Sequence, residues 1–476
     1  MPVVGTMGAL TYDKVPLGTS NNYWMLTAPN CSYLTSTFKS NELWLAGFNA
    51  YTEIPLGNAT VFKVVDDFSP IISRQNKVRI ASYTSGDLMG FRKIVVNNSN
   101  NLTVVGTGYT SSNNDGGTIT TFDSTATVLT SKFYRGPILV DPVATFQPRL
   151  NQCVAYDSAG NYYVTGWTRE SVATGYSMFI TKFDGSTDAI IWSKYAYQAG
   201  GIVNTNPGIA PFFLKVDSSN NIILIYGAPG TVWKIISFSS AGTINYQKKR
   251  TDVGDIKNFD IDSNNNIYIL GSVYDSITAS YLPAVIKYNS SMVLQWTKIL
   301  TDSGNWGTIG LTREDIPIKI YRDIIYISLD RSTSGGSPVT LGSYLISLDL
   351  NGNFVWATNL NYFESSVKKY VRWQSLSINL KGIYATFWPE LTGALRYTYN
   401  IIKLPIDGSV PGTGNYTVSA NTYITYNSQS LTFTNSANTP TIVAGTLTIA
   451  DATPIALTNA PLTSNNSIST FTTISL

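Results

Sequence analysis

One unit recurs seven times along this chain. Each copy has a strand-like stretch holding a small residue, a gap, and a second stretch reading apolar-x-[Lys/Ser/Thr]-apolar, often with Asp or Asn next. The clearest copy is NYYVTGWT at Asn161–Thr168, followed by MFITKFDG at Met178–Gly185 and IIWSKY at Ile190–Tyr195. A period this long in a β-rich chain means an architecture built by repetition.

The copies align on Gly47, Gly106, Gly166, Gly227, Gly271, Leu329 and Phe387, each taken to close the first stretch. Three residues earlier the chain is usually aromatic: Trp44, Tyr163, Tyr268, Tyr326 and Tyr384, with Thr103 and Leu224 as exceptions. The second stretch centres on Lys63, Thr121, Lys182, Ser237, Lys287, Ser347 and Lys403. Three copies then carry Trp192, Trp296 and Trp356. The step from Gly227 to Gly271 is the short one, which shortened upper loops (Ala228–Val232) would explain without a missing strand.

Each unit reads as four strands. Turns of the type DSAGN at Asp157–Asn161, DSSNN at Asp217–Asn221 and DSNNN at Asp262–Asn266 join the first pair. Asp and Asn suit tight turns because they accept backbone hydrogen bonds two residues on, and Asn and Gly tolerate positive φ. An antiparallel four-stranded unit has two apolar faces and cannot bury both alone. Seven arranged radially do so, and consistent register favours this over a long β-sandwich array. The expected fold is therefore all-β: a seven-bladed β-propeller over residues 31–408, followed by an extended β-rich, low-charge segment over 409–476. Residues 1–30 form an N-terminal segment expected to anchor the chain or close the ring. Asn22–Thr27 is placed beside the last blade, which lacks a Trp-bearing fourth strand.

The chain holds no histidine and only two cysteines, Cys31 and Cys153. That excludes Ser-His-Asp and Cys-His nucleophiles, histidine-bearing zinc sites and thiolate zinc sites. No cofactor and no metal are expected. Carboxylate chemistry remains open to Glu170, Asp252, Asp255, Glu314 and Asp315, although scattered loop acids are most often solvated. The Asp-rich turns lack a complete calcium-loop pattern and read as turns. Charged residues are 13% of the chain, without a basic cluster for nucleic acid or an apolar run long enough for a membrane span. No signal peptide is visible at the N-terminus, and two isolated thiols fit assembly in a reducing cytoplasm.

The strand order places short, stereotyped turns on one face and long, irregular loops on the other. Elaborated loops on a rigid scaffold are where binding resides. The loop residues singled out are Trp306, Tyr274, Tyr109, Tyr176 and Arg169. Rings among neutral polar neighbours suit sugar faces and protein hot spots, with packing beneath their own loops as the plain alternative.

From Ser409 to Leu476 the only charged residue is Asp451. The segment alternates apolar with small polar residues, as in Tyr423–Tyr426, Leu431–Thr434 and Thr446–Ala450. It has too few bulky side chains for a core of its own. Its strand edges are expected to pair with other chains, and removing it after Asp407 is expected to leave a soluble propeller that no longer assembles.

The junction IIKLPIDGSVPGTGNYTV at Ile401–Val418, with Lys403, Leu404, Pro405, Asp407 and Gly408, leads into this Leu-Thr-rich tail. It resembles the C-terminal region of virion structural proteins of tailed phages of marine bacteria, especially contractile-tailed cyanobacterial phages. The Leu-Thr units here are irregular and mostly lack the acidic residue of that pattern. The resemblance implies a non-enzymatic structural or receptor-binding protein of the virion tail, fibre or baseplate, assembled in the host cytoplasm. Its implied partners are other virion proteins, copies of itself and a host surface glycan. The rivals are a carboxylate-based polysaccharide depolymerase or lyase on the same scaffold, and a bacterial carbohydrate-binding module.

Overall fold

The computed structural model describes residues 15–16, 24–28, 31–39, 42–49, 58–65, 89–97, 99–108, 116–124, 128–134, 149–171, 175–197, 212–227, 233–250, 254–275, 280–300, 318–332, 340–364, 367–369, 371–389 and 399–408, and in the tail 414–419, 422–429, 433–435, 442–444, 448–451 and 458–459. All the regular structure among them is β.

Seven antiparallel sheets follow one another along the chain. Sheet 1 has strands Cys31–Lys39, Glu42–Asn49 and Asn58–Val65. Sheet 2 has Met89–Val96, Leu102–Gly108, Gly116–Phe122 and Val128–Tyr134. Sheet 3 has Arg149–Tyr156, Tyr162–Ser171, Gly175–Phe183 and Ile190–Tyr197. Sheet 4 has Phe212–Val216, Ile222–Tyr226, Trp233–Phe238 and Ile244–Arg250. Sheet 5 has Ile256–Ile261, Ile267–Asp275, Ser280–Tyr288 and Leu294–Leu300. Sheet 6 has Ile318–Tyr321, Ile324–Ser332, Thr340–Asp349 and Phe354–Glu364. Sheet 7 takes Val371–Asn379, Gly382–Pro389 and Tyr399–Leu404 from the last repeat.

The first strand of each sheet is innermost, and neighbouring inner strands touch in turn from sheet 1 round to sheet 7 and back to sheet 1. This is a β-propeller. Among the described residues it has six full blades, sheets 2 to 7, where seven were expected. The first repeat supplies a three-stranded sheet seated between sheets 7 and 2, because its fourth-strand text falls outside the described residues. The short repeat keeps all four strands of sheet 4, of five to seven residues each.

Register shows why the repeat reads as it does. In all seven sheets the aromatic position of the second strand stands opposite the Lys/Ser/Thr position of the third: Trp44 with Lys63, Thr103 with Thr121, Tyr163 with Lys182, Ile223 with Ser237, Tyr268 with Lys287, Tyr326 with Ser347, and Tyr384 with Lys403. In sheet 4 the position belongs to Ile223, so the sequence alignment on Leu224 and Gly227 was displaced by one residue. Four of the five aligned glycines lie within their strands and do not end them, as Gly166 does in Tyr162–Ser171 and Gly271 in Ile267–Asp275, while Gly227 directly follows Ile222–Tyr226. A Cβ on Gly271 would collide with the Asp255 carbonyl, and Ser272 donates its N–H to that same oxygen at 2.9 Å. Glycine is used there for close approach of the inter-blade backbone.

The core lies between sheets. Separate apolar clusters fill the spaces between sheets 2 and 3, 3 and 4, 4 and 5, 5 and 6, and 6 and 7. Each fully buried Leu, Ile or Val contributes about 1.5–3 kcal/mol, so no sheet is stable without its neighbours.

Segments from near both ends of the chain return to the ring. Trp24–Ala28 pairs with Tyr399–Leu404 and completes sheet 7, as expected, and Val15–Pro16 pairs outside it. Trp24 stands opposite Lys403, the register that Trp192 has with Lys182 and Trp296 with Lys287. The N-terminal strand thus carries the tryptophan that the last repeat lacks.

The tail does not take the course expected of it. Its strands pair antiparallel with the outer edges of the chain's own blades: Thr422–Gln429 with sheet 6, Phe433–Asn435 with sheet 5, Ile442–Ala444 with sheet 4, Thr448–Asp451 with sheet 3 and Thr458–Asn459 with sheet 2. The segment is a strap running backwards round the ring, one strand per blade. Gly414–Ser419 pairs in turn with the first strap strand. In sheets 2 to 5 the edge strands carry lysines opposite the strap: Lys132 faces Asn459, Lys194 faces Asp451, Lys248 faces Ala444 and Lys298 faces Asn435. The one charge of the tail therefore stands across from a lysine.

Ending the chain at residue 413 uncovers five outer edges while leaving sheets 2 to 6 their four blade strands. The truncated protein is expected to keep its far-UV β signal, to melt at a lower temperature and to associate with rising concentration. Light scattering and thermal melts check this, in place of the soluble truncated propeller that the sequence led to. A monomer with an unchanged melting temperature would show that the strap contributes nothing to the ring.

Candidate functional site

The repeated residues build joints between blades on the tight-turn face. In sheet 3, Asp157 Oδ1 accepts the N–H groups of Ala159 (3.1 Å) and Asn161 (2.9 Å), closing the turn. Its Oδ2 accepts from Asn161 Nδ2 (3.1 Å) and the Tyr163 hydroxyl (2.9 Å), with Lys182 Nζ at 3.3 Å. Burial raises the Asp157 pKa, but the Asn161 and Tyr163 hydrogen bonds and the Lys182 charge outweigh it and hold the carboxyl below its ordinary value. Asp262 repeats the set with Asn266 and the Tyr268 hydroxyl. These oxygens are committed to turn donors, so the Asp-rich loops are turns.

Lys182 lies 5.3 Å from the centre of the Tyr163 ring and donates to the Ser240 carbonyl of sheet 4 at 2.9 Å. Trp192 Nε1 donates to the same carbonyl at 3.1 Å. Lys287 covers Tyr268 and donates to the Leu350 carbonyl of sheet 6 at 3.2 Å. Each of the three tryptophans packs on a positive-φ glycine in the next blade: Trp192 on Gly242, Trp296 on Gly352 and Trp356 on Gly408. The Pro405–Gly408 turn that carries much of the virion resemblance is thus the socket for Trp356. Where the lysine is replaced by Ser347, the Tyr326 hydroxyl itself reaches the Ile406 carbonyl of sheet 7 at 3.4 Å. Thr103, another exception to the pattern, bonds the Tyr156 hydroxyl of sheet 3 at 2.6 Å, and burial pushes that phenol up to about 12.

The long-loop face carries three of the residues singled out for binding, Tyr274, Arg169 and Tyr176. Tyr274, near the end of the second strand of sheet 5, is 43% exposed and meets Tyr281 of the third strand edge to face, ring centres 5.3 Å apart. The two stand opposite each other in register, which makes Tyr281 a partner the sequence did not single out. Register alone would have found it, since the hairpin pairs Tyr268 with Lys287 six residues lower. Arg169 and Tyr176 are likewise opposite each other at the top of sheet 3. Trp306 and Tyr109 lie outside the described residues.

Of the candidate carboxylates, Asp252, Glu314 and Asp315 lie outside the described residues, and Glu170 is placed in the second strand of sheet 3. Asp255 enters sheet 5 with Oδ2 at 3.5 Å from Lys257 Nζ. Among the described residues no three acidic, histidine or cysteine side chains are grouped as metal ligands would be. Cys153 is a buried free thiol. No described helix is long and apolar enough to cross a membrane.

A further charged group lies at the centre of the ring. Lys215, Asp260 and Lys319 occupy the inner strands of sheets 4, 5 and 6, opposite Ile223, Tyr268 and Tyr326. They are therefore at one level, on the tight-turn half. Lys215 Nζ is 3.0 Å from Asp260 Oδ1, and Oδ2 accepts the Ile320 N–H at 2.9 Å.

No family model matches the chain, and no curated protein matches it. Among solved structures, a polysaccharide lyase is similar over 69% of this chain and 85% of its own, at 10% identity and a TM-score of 0.40. A lectin from Aleuria aurantia, in complex with alpha-methyl-L-fucoside, is similar over 68% and 93%, at 10% identity and a TM-score of 0.36. A sialidase from Trypanosoma rangeli is similar over 82% and 56%, at 9% identity and a TM-score of 0.40.

The joints generate a stability prediction. Gly408 has φ +69°, and a Cβ there would overlap the Trp356 indole. Gly408→Ala is expected to cost more than about 1 kcal/mol, from the left-handed backbone and the displaced ring together. Urea denaturation measures it, and a change within a few tenths of a kcal/mol would show that the socket is slack.

Proposed function

We propose that this chain is a non-enzymatic display module of a phage particle, whose long-loop face holds a cell-surface glycan or a neighbouring virion protein. The observation that carries the reading is the Tyr274–Tyr281 pair on the rim of sheet 5, with Tyr274 exposed and Tyr281 half-buried beside it. An exposed ring backed by a half-buried one on a rigid hairpin offers flat apolar area at small entropic cost, as a sugar face or a protein anchor requires. The scaffold supports it: interlocked turns and capped edges fix the blades, so loops on the opposite face project from a stiff base. The virion context comes from the resemblance of Ile401–Val418 and the low-charge tail, and with it the partners, other virion proteins and further copies of this chain.

The test uses envelope polysaccharide from a marine cyanobacterial host, titrated into the full chain by calorimetry. Binding is expected, and Tyr274→Ala is expected to weaken it about tenfold, equivalent to about 1.4 kcal/mol. Equal affinity for the variant would move the site away from this pair. In the same mixture, reducing ends and new double bonds are expected to stay at background. Turnover that disappears in Glu314→Gln or Asp315→Asn would make the protein a carboxylate-based depolymerase or lyase instead.

A further inference from the structure

The centre of the ring brings together charges from blades that are not neighbours. Lys215 on sheet 4 and Lys319 on sheet 6 stand at one level, on either side of Asp260 of sheet 5. Lys93, on the inner strand of sheet 2, adds its field from across the axis. Residues this far apart in the ring meet only through the channel. Asp260 is the carboxylate among them, and both its oxygens are engaged, one with Lys215 and one with the Ile320 N–H. One ammonium group, Lys215, thus pairs with this carboxylate and a second, Lys319, acts on it through its charge, in a place where water still reaches: the Lys215 side chain is 29% exposed.

Such a cluster is costly without a counter-charge. The Lys215 charge, followed by burial, pushes Lys319 down to about 7; the Asp260 carboxylate opposes the shift and Lys93 adds to it. Among the described residues, those are the charges that act on Lys319. Its folded value lies below that of the unfolded chain, so the unfolded chain binds the extra proton. Stability therefore rises as pH climbs from about 7 towards the ordinary lysine range. An anion placed between the two ammonium groups would reverse that balance by accepting from both.

We propose that the tight-turn half of the central channel is an oxyanion site, in which Lys215 and Lys319 clasp a carboxylate, sulfate or phosphate group under the field of Lys93. It lies away from the Tyr274–Tyr281 rim and does not depend on the glycan reading. The group arrives either as a free ion or on an acidic sugar, and the chemistry of capture is the same.

Calorimetry with sodium sulfate, against sodium chloride at matched ionic strength, tests it on the full chain. Sulfate keeps its charge across the range, so a pH dependence reports the protein. Binding is expected at about pH 6 and about tenfold weaker at about pH 9, where Lys319 is neutral. Lys319→Met is expected to stay folded, because it removes a repelled charge. It should bind sulfate weakly at both values and lose the rise of stability above neutrality. Glucose 6-sulfate as a second titrant separates the sources: capture of both admits a sugar-borne group, and capture of sulfate alone restricts the site to free ions. Sulfate indistinguishable from chloride would overturn the proposal. So would a Lys319→Met protein with unchanged affinity and pH profile.

Discussion

The open edge of a β-sheet is the constraint this molecule is organised around. Every blade ends in a row of backbone N–H and C=O groups that will pair with whatever strand is offered. The chain answers with its own termini. Trp24–Ala28 completes sheet 7 and Val15–Pro16 covers it, while the strap adds one strand to each of sheets 6, 5, 4, 3 and 2. This accounts for the composition of the tail. A strand that must lie flat against five edges in succession needs backbone pairing and small, β-prone side chains more than a core of its own.

Within the ring, rigidity comes from turns that interlock. Asn220 accepts the Ser158 N–H of the preceding blade at 2.9 Å, and Asn265 does the same for Ser218 at 3.1 Å. Tryptophan on glycine and lysine on carbonyl repeat the joint further out. Between sheets 4 and 5 the pieces change together: Tyr246 stands where other blades have tryptophan, and Met292, at φ +59°, fills the glycine position and packs in the same cluster. Larger and smaller partners are exchanged across one joint, so its packing is kept while its chemistry varies.

Much of the ring was legible in the sequence, because the repeat is written in residues that face one another. The aromatic and lysine positions proved to be cross-strand partners in every sheet but sheet 4, where the alignment was one residue out. The ring-closing strand was legible because one repeat lacked a fourth strand. The displacement at Gly227 arose because that glycine directly follows its strand, whereas the other aligned glycines lie inside theirs. The partner of the tail was not legible. Alternation and absence of charge say that an edge is to be paired, and say nothing of whose edge it is. Of the candidate site, Tyr274 was found and Tyr281 missed for want of register. Lys215, Asp260 and Lys319 went unnoticed because which inner-strand residues meet across an axis is a property of the closed ring alone.

The direction of the strap sets an order of events in folding. Its first strand joins Phe354–Glu364, close by in sequence, and its last joins Val128–Tyr134, more than three hundred residues away. Loop-closure entropy rises along that path, so the near end docks first and the far end last. Each docked strand shortens the reach needed by the next, and the strap zips backwards from sheet 6 towards sheet 2. The outer edges made earliest during synthesis are thus the ones that wait longest for cover. Their lysines, Lys132 and Lys194, keep those edges from pairing with other chains in the interval.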